Sequence, residues 1–203
     1  MEIKLTADDR RRIEESIHKK YAKVASNPEG HFRYPTGRAA LEALNYDPEW
    51  IQALPEDVAD SFCGVGNLFS LGPIHEGEAV LDIGCGTGVD SLVAAVLVGP
   101  DGSVTGIDLT YEMLAHAREN LFKTDLDNVT FMEGSAERLP LPDKGIDVVI
   151  SNGVFNLVPD KVRAVGDILR VLKPNGRLML ADQVLAVDVL PADTKTRVDS
   201  WAQ

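Results

Sequence analysis

Between residues 79 and 182, short apolar runs alternate with amphipathic segments, and this alternation constrains the fold more than any other feature of the chain. The apolar runs are rich in Val, Ile and Leu and are bounded by Gly, Asp and Asn, which is typical of strands. The segments between them repeat apolar residues at helical spacing. Strands that alternate with helices form a mostly parallel sheet covered on both faces. The pattern therefore predicts an α/β fold with a doubly wound sheet.

The boundaries of these elements follow from the same pattern. Strands are predicted at 79–83, 103–108, 128–132, 145–151 and 176–182, and helices at 90–98, 111–122 and 161–172. The residues 173–176, Lys-Pro-Asn-Gly, predict a helix stop and a turn before the last strand.

The residues before the sheet predict a helical region. Thr6 and Asp9 resemble a capping box for a helix over 7–25, and a second helix is expected over 36–44. We expect residues 1–75 to form a helical lid on the substrate side of the molecule. Residues 76–203 are expected to form the ligand-binding core.

The charge of the chain is unevenly placed. Its 20 Lys+Arg face 32 Asp+Glu, and residues 1–50 are balanced, so the whole net charge of -12 belongs to the later part. A surface of this sign repels a phosphate backbone, so no nucleic-acid partner is expected. The one basic cluster, Arg10–Arg12, is flanked by acids at 8–9 and 14–15 and predicts a solvated helix face.

No sequence feature points to a membrane, to export or to a metal. The apolar run 92–98 is far shorter than the roughly 18 residues that cross a bilayer, and residues 1–9 carry acids where a signal peptide is basic and then apolar. Two cysteines, Cys63 and Cys85, form neither a disulfide framework nor a four-thiolate zinc site. We expect a cytoplasmic protein without a bound metal.

The residues that follow the first two strands predict a ligand site, because ligands of doubly wound sheets bind at the carboxyl ends of the strands. Gly84, Gly86 and Gly88 allow a sharp turn and a close approach of the backbone to a ligand. Asp108, at the end of the second strand, is placed to accept both hydroxyls of a ribose. These features indicate a nucleoside.

The loop also distinguishes between nucleosides. The third glycine of a dinucleotide loop would fall at Val89, and Asp82 would face a diphosphate with the wrong sign. A carboxylate at that position suits a cationic ligand instead. S-adenosylmethionine carries an ammonium and a sulfonium and no phosphate, so the pattern favours it over a dinucleotide.

Over about residues 60–185 the chain resembles the class I S-adenosylmethionine-dependent methyltransferases. Residues 80–88 are similar to their first motif, 134–140 to the segment whose Ala-Glu pair flanks the adenine, 146–152 to their fourth motif, and 169–176 to their post-motif. The resemblance implies a Rossmann-like methyltransferase fold, S-adenosylmethionine as cofactor and methyl transfer to a small molecule. The cofactor-binding residues that it implies are Asp82, Gly84, Cys85, Gly86, Gly88, Asp108, Leu109, Ala136, Glu137, Asn152 and Gly153.

Within that family the chain is similar to the arsenite methyltransferases at residues 46–50 and 151–161 and in the Gly-rich loop before the first strand. Arsenic(III) is a soft centre that needs thiolates. The positions that match the expected cysteines hold Val65 and Gly153, and Cys63 alone cannot form a three-thiolate site. The candidate substrate residues are Cys63, Asn67 and Asn156, and no catalytic residue is predicted.

Three functions follow from the sequence. The first is methyl transfer to a small-molecule acceptor, and the second is methyl transfer to arsenite or another thiophilic substrate using Cys63. The third is a catalytically silent nucleotide-binding or interaction module. It depends on residues 190–203, which predict at most a helix where family members continue with a helix and strands six and seven. If those strands are absent, strand five is an open edge through which a homodimer could form.

Aromatic residues before the sheet are candidates for the inner face of the lid. Tyr21, Phe32 and Tyr34 belong to the N-terminal region, which is expected to fold over the cofactor. An aromatic face beside a sulfonium gains about 0.5–2 kcal/mol of cation–π attraction.

Overall fold

The computed structural model describes residues 5–28, 30–184, 194–199 and 201. Its centre is a sheet of five parallel strands in the order β3-β2-β1-β4-β5. The strands are β1 Ala79–Ile83, β2 Ser103–Asp108, β3 Val129–Glu133, β4 Ile146–Asn152 and β5 Leu172–Ala181. The direction of winding changes between β1 and β4, so the carboxyl ends of these two strands flank the switch point.

Helices cover both faces of the sheet, as the alternation predicts. They are α5 Val89–Val98, α6 Tyr111–Phe122 and α7 Lys161–Val171. Helix α5 is buried on nearly all sides, which explains its almost uniformly apolar sequence. Helix α7 buries Ala164, Ile168 and Val171 and exposes Val162 and Leu169, as expected of a helix that covers one face.

The N-terminal region contributes more helices than the sequence predicted. They are α1 Ala7–Ser26, α2 Gly37–Ala43, α3 Pro48–Ala53 and α4 Glu56–Asp60, followed by a 3-10 turn at Leu68–Leu71. The capping box is present, because the Thr6 hydroxyl accepts from the Asp9 amide at 3.1 Å and the Asp9 carboxylate accepts from the Thr6 amide at 3.0 Å.

The N-terminal helices do not form a separate layer. Side chains of α2, α3 and α4, including Leu41, Ile51 and Val58, join one core cluster with Val80 of β1 and Leu92 of α5. This cluster crosses the expected boundary at residue 75. Helix α1 lies apart from it, and buries Ile13 and Ile17 against Val198 of α8, Thr194–Asp199.

The turn predicted before the last strand differs in the structure. Residues 173–176 do not precede the last strand but interrupt it, since pairing moves from Ile146–Leu172 to Val148–Arg177. Pro174 has no amide to donate and Asn175 has a φ of 68°, so this short turn bulges out of β5.

Two of the three residues in the predicted solvated face at Arg10–Arg12 also form ion pairs outside their own helix, with side chains 36% and 39% exposed. Arg10 pairs with Glu137 and Asp160 of the sheet region, and Arg12 pairs with Asp199 of α8. Arg11 pairs only within its own helix in the described part of the chain. The sequence does not show which of these arginines pair outside their own helix, because those partners lie far away in the chain.

No helix among the described residues is long and apolar enough to cross a membrane.

Candidate functional site

A cleft of about 920 Å³, counted with its open mouth, lies at the carboxyl ends of β1, β2 and β4 and beneath α1. The predicted site residues that line it are Gly84, Gly86, Asp108, Leu109, Ala136, Glu137, Asn152, Gly153 and Cys63. The strand ends and the segments after them therefore bring eight of the candidate residues to one place, and the loop before β1 adds Cys63.

The glycine loop after β1 forms the floor of the cleft. The amides of Gly84 and Cys85 donate to the Ile107 carbonyl at 2.8 and 2.9 Å, which ties the loop to the end of β2. Gly84 has a φ of 69°, and a Cβ there would collide with Val154. This position therefore requires glycine on two independent grounds.

Asp108 lies at the end of β2, with its carboxylate partly buried beside the loop. One oxygen accepts from the Gly86 amide at 3.0 Å and the other from the Thr110 amide at 2.8 Å. Burial raises the pKa of Asp108, and these hydrogen bonds oppose that effect. Each oxygen keeps a lone pair, so the carboxylate can accept two further hydrogen bonds from a ligand in the cleft.

The opposite wall is the segment after β3. Glu137 accepts from Arg10 of α1 at 3.2 Å and from the Asp160 amide at 2.9 Å. The side chain expected beside an adenine is thus also the point at which α1 is attached to the sheet region. Glu14, Ile17 and Tyr21 of α1 line the cleft and cover it.

Aromatic and thiol groups form the remaining wall. Tyr21 and Tyr34 line the cleft, and Phe32 stacks on Tyr34 with ring centroids 4.9 Å apart. The Tyr34 hydroxyl donates to the Cys63 carbonyl at 3.3 Å. Burial, together with the charges of Asp108 and Asp90, raises the pKa of the Cys63 thiol to about 12. Cys63 is therefore a neutral thiol at neutral pH.

Five predicted site residues are not in the lining. Asp82 is buried behind the glycine loop, where it accepts from the Ser91 hydroxyl at 2.6 Å. Cys85 and Gly88 face the packed interior, where a Cβ on Gly88 would meet Phe131. Asn67 caps the 3-10 turn, and Asn156 is exposed beyond β4. The expectation that Asp82 faces the ligand directly does not match this placement.

Several lining residues were not singled out as site residues in the sequence. Glu14, Thr110 and Met113 lie outside the matched motifs, whereas the others lie within them: Ile83, Gly134, Ser135, Val154, Leu157, Val158 and Pro159. Ile17 appeared only as part of the apolar face of α1. Most of these side chains are ordinary apolar or small residues, and only the fold brings them to the strand ends.

The charge of the lining is one-sided. Among the described residues that line the cleft, Glu14, Asp108 and Glu137 are acidic, and none is Lys, Arg or His. No cluster of three His, Cys, Asp or Glu side chains suited to a metal occurs in the described part of the chain. The electrostatics of the cleft suit a cationic ligand.

The two positions at which the resemblance expects thiols are neighbours in the structure. A Cβ on Gly153 would lie 3.3 Å from Cγ1 of Val65, so the side chains at these positions face each other beside the cleft. Neither is a thiol here, and Cys85 does not line the cleft. Cys63 is therefore the one described sulfhydryl that a molecule in the cleft can reach.

The chain is similar in sequence to known methyltransferases. A family model described as a methyltransferase domain matches residues 74–202. An arsenite methyltransferase of Halobacterium salinarum is 42% identical over 165 residues, which are 81% of this chain and 42% of that protein. A demethylmenaquinone methyltransferase of Listeria monocytogenes is 42% identical over 110 residues, which are 54% of this chain and 46% of that protein.

A solved structure is similar in both fold and sequence. The arsenic(III) S-adenosylmethionine methyltransferase of Chlamydomonas reinhardtii matches with a TM-score of 0.58 and 37% identity, and the match covers 73% of this chain and 50% of that one. The chain thus spans no more than half the length of each of these relatives.

Proposed function

Because the chain belongs to the S-adenosylmethionine-dependent methyltransferase family, we propose that it transfers a methyl group from S-adenosylmethionine to a small-molecule acceptor. The observation that carries the proposal is the cleft itself. It joins the glycine loop, the free lone pairs of Asp108 and an acidic, aromatic wall at the switch point of the sheet.

The residues of the cleft fit this cofactor. Asp108 would hold the ribose hydroxyls, and the segment Ser135–Glu137 would flank the adenine. Glu137 is already paired with Arg10, so the carboxylates of Glu14 and Asp108 offset the positive charge of the ligand. The glycine loop lets the backbone approach the ligand closely. The remaining cofactor-binding roles that the resemblance implies belong to this same proposal.

The protein would align the acceptor with the methyl group of the cofactor and exclude water from the cleft. When bound, S-adenosylmethionine would supply a methyl group on a sulfonium, which an acceptor's lone pair could take in an in-line displacement that releases the thioether. Ile17 and Tyr21 of α1 cover the cleft, so a bound acceptor would be held with little solvent around it. Holding both reactants in line accounts for much of the rate acceleration in such a displacement.

Matched variants test the role of Asp108. Replacing it by Asn keeps the size but removes the charge that strengthens its hydrogen bonds to a ribose, so cofactor affinity should fall about 10- to 100-fold. Asp101→Asn removes an exposed acid far from the cleft and should leave affinity unchanged. Calorimetric titration with S-adenosylmethionine measures both variants, and equal affinity in all three proteins would reject the assignment.

Arsenite or another thiophilic acceptor is the second candidate, favoured by the position of Cys63 in the cleft and by the 42% identical arsenite methyltransferase. Its weakness is that a neutral thiol without a neighbouring cysteine is a poor ligand for a soft centre. This second candidate is supported if the wild type methylates arsenite and Cys63→Ser does not. Unchanged turnover of arsenite in Cys63→Ser would exclude a role for the thiol.

A further inference from the structure

A buried hydrogen-bonded network joins α5, β4 and the loop of residues 63–66, which we call the acceptor loop. Asp90 lies in the first turn of α5 and is 7% exposed. One of its oxygens accepts from the Tyr46 hydroxyl at 2.7 Å, and the other accepts from the Asn152 side-chain amide at 2.9 Å. Asp90 does not line the cleft, and the transfer step described above does not use it.

Asn152 connects this carboxylate to the acceptor loop. Its side-chain oxygen accepts from the amides of Val65 and Gly66 at 2.8 and 3.1 Å, and its side-chain nitrogen also donates to the Gly66 carbonyl at 2.8 Å. Gly64 has no side chain, and a Cβ there would collide with the Asn152 amide. The loop is therefore closed tightly around one side chain of β4.

The orientation of the Asn152 amide decides whether these bonds exist. An Asn side chain has one accepting and one donating end, and rotation by half a turn exchanges them. With the oxygen toward Asp90, two acceptors would face each other, and the amides of Val65 and Gly66 would meet a donor. The carboxylate of Asp90 permits only the orientation that holds the loop.

The geometry points to Asp90 as a positioning residue that orients the Asn152 amide and so holds the acceptor loop, with Cys63, against the cleft. The inference rests on the proposed function only in assigning this loop to the acceptor side. The loop carries Cys63 and lies next to Gly153, so its displacement would change the wall that an acceptor meets.

Two substitutions of Asp90 separate positioning from general stability. Asp90→Ala leaves the Asn152 amide without its acceptor, whereas Asp90→Asn keeps a side-chain oxygen that can accept the same hydrogen bond. Ser91→Ala is the control, since it removes the hydrogen bond to Asp82 from the same turn of α5 and leaves the acceptor loop untouched.

Hydrogen–deuterium exchange of the Val65 and Gly66 amides reports the loop directly. We expect Asp90→Ala to lower their protection about 10- to 100-fold, since a hydrogen bond to a charged group is lost. Asp90→Asn should restore protection to within about threefold of the wild type, and Ser91→Ala should not change it.

Wild-type protection of both amides in folded Asp90→Ala would overturn the inference, and so would equal losses in Asp90→Ala and Asp90→Asn. If Asp90→Ala does not fold, Asn152→Ala is used, and unchanged exchange at Val65 and Gly66 would overturn the inference in the same way. Titration of the wild type with S-adenosylhomocysteine is measured separately. If the wild type does not bind S-adenosylhomocysteine, the proposed function is contradicted. The hydrogen-exchange test of Asp90 does not depend on that result.

Discussion

Among single residues, some site groups are predicted by the sequence motif, and others come together only in the fold. The glycine loop and Asp108 are neighbours in the structure because strand ends of a parallel sheet meet at one edge. Asp90 and Asn152 are 62 residues apart, and neither the spacing nor the residue type signals their contact. Motif reading therefore finds the floor of the cleft and misses the network behind it.

Asp82 gives a prediction for pH dependence. Burial and the neighbouring Asp90 raise the pKa of Asp82 to about 8 in the folded protein, from a usual value of 3.8. The folded state thus holds a proton that the unfolded state has lost, so this group makes the protein less stable as pH rises from about 4 to 8. Asn does not titrate, so the variant Asp82→Asn does not lose this stability. The melting temperature of Asp82→Asn minus that of the wild type should therefore increase from pH 5 to pH 8.5.

Thermal unfolding at these two pH values checks the prediction. For Asp101→Asn, which removes an exposed acid, the difference in melting temperature from the wild type should be the same at both pH values. A melting-temperature difference between Asp82→Asn and the wild type that is the same at both pH values would contradict the assigned cause.

At the scale of elements, the sequence predicts the sheet well and the N-terminal region less completely. The bounds of β1, β2 and α6 agree with the alternation of apolar runs, because each element buries a regular pattern. Helices α3 and α4 have six and five residues, too few for a periodic signal. The bulge in β5 was predicted as a turn, since local sequence does not show that pairing with β4 continues on both sides of it.

The attachment of α1 gives a prediction at this scale. Arg10 reaches Glu137 and Asp160, whereas Arg11 pairs with Asp8 and Glu15 of its own helix. A partly exposed ion pair contributes up to about 1 kcal/mol, so Arg10→Met should weaken cofactor affinity about threefold to fivefold by loosening α1 over the cleft. Arg11→Met is the control, and titration with S-adenosylhomocysteine compares them. Equal affinities would show that α1 does not depend on this pair.

At the scale of the whole molecule, one core joins the N-terminal helices to the sheet, and α1 alone lies over the strand ends. The division into a lid of residues 1–75 and a core of residues 76–203 stays a prediction about function. It does not describe how the side chains pack, because residues of α2 to α4 belong to the core of the sheet.

The edge of β5 gives a prediction about assembly. Among the described residues, β5 pairs only with β4, and Leu178 and Leu180, which share one face of this edge strand, are each 37% exposed. Unpaired edges favour association. We predict a mass of twice 22.0 kDa by light scattering at high protein concentration. Leu180→Lys should shift it toward the monomer, whereas Phe122→Lys, at the exposed end of α6, should not. A monomer at all concentrations would contradict this prediction.

The central claim is that the cleft at the strand ends binds S-adenosylmethionine. Calorimetric titration of the wild-type protein with this ligand tests the claim most directly, with circular dichroism of the same sample to verify that it is folded. We predict saturable binding of one molecule per chain. A folded sample that shows no binding at millimolar ligand would contradict it.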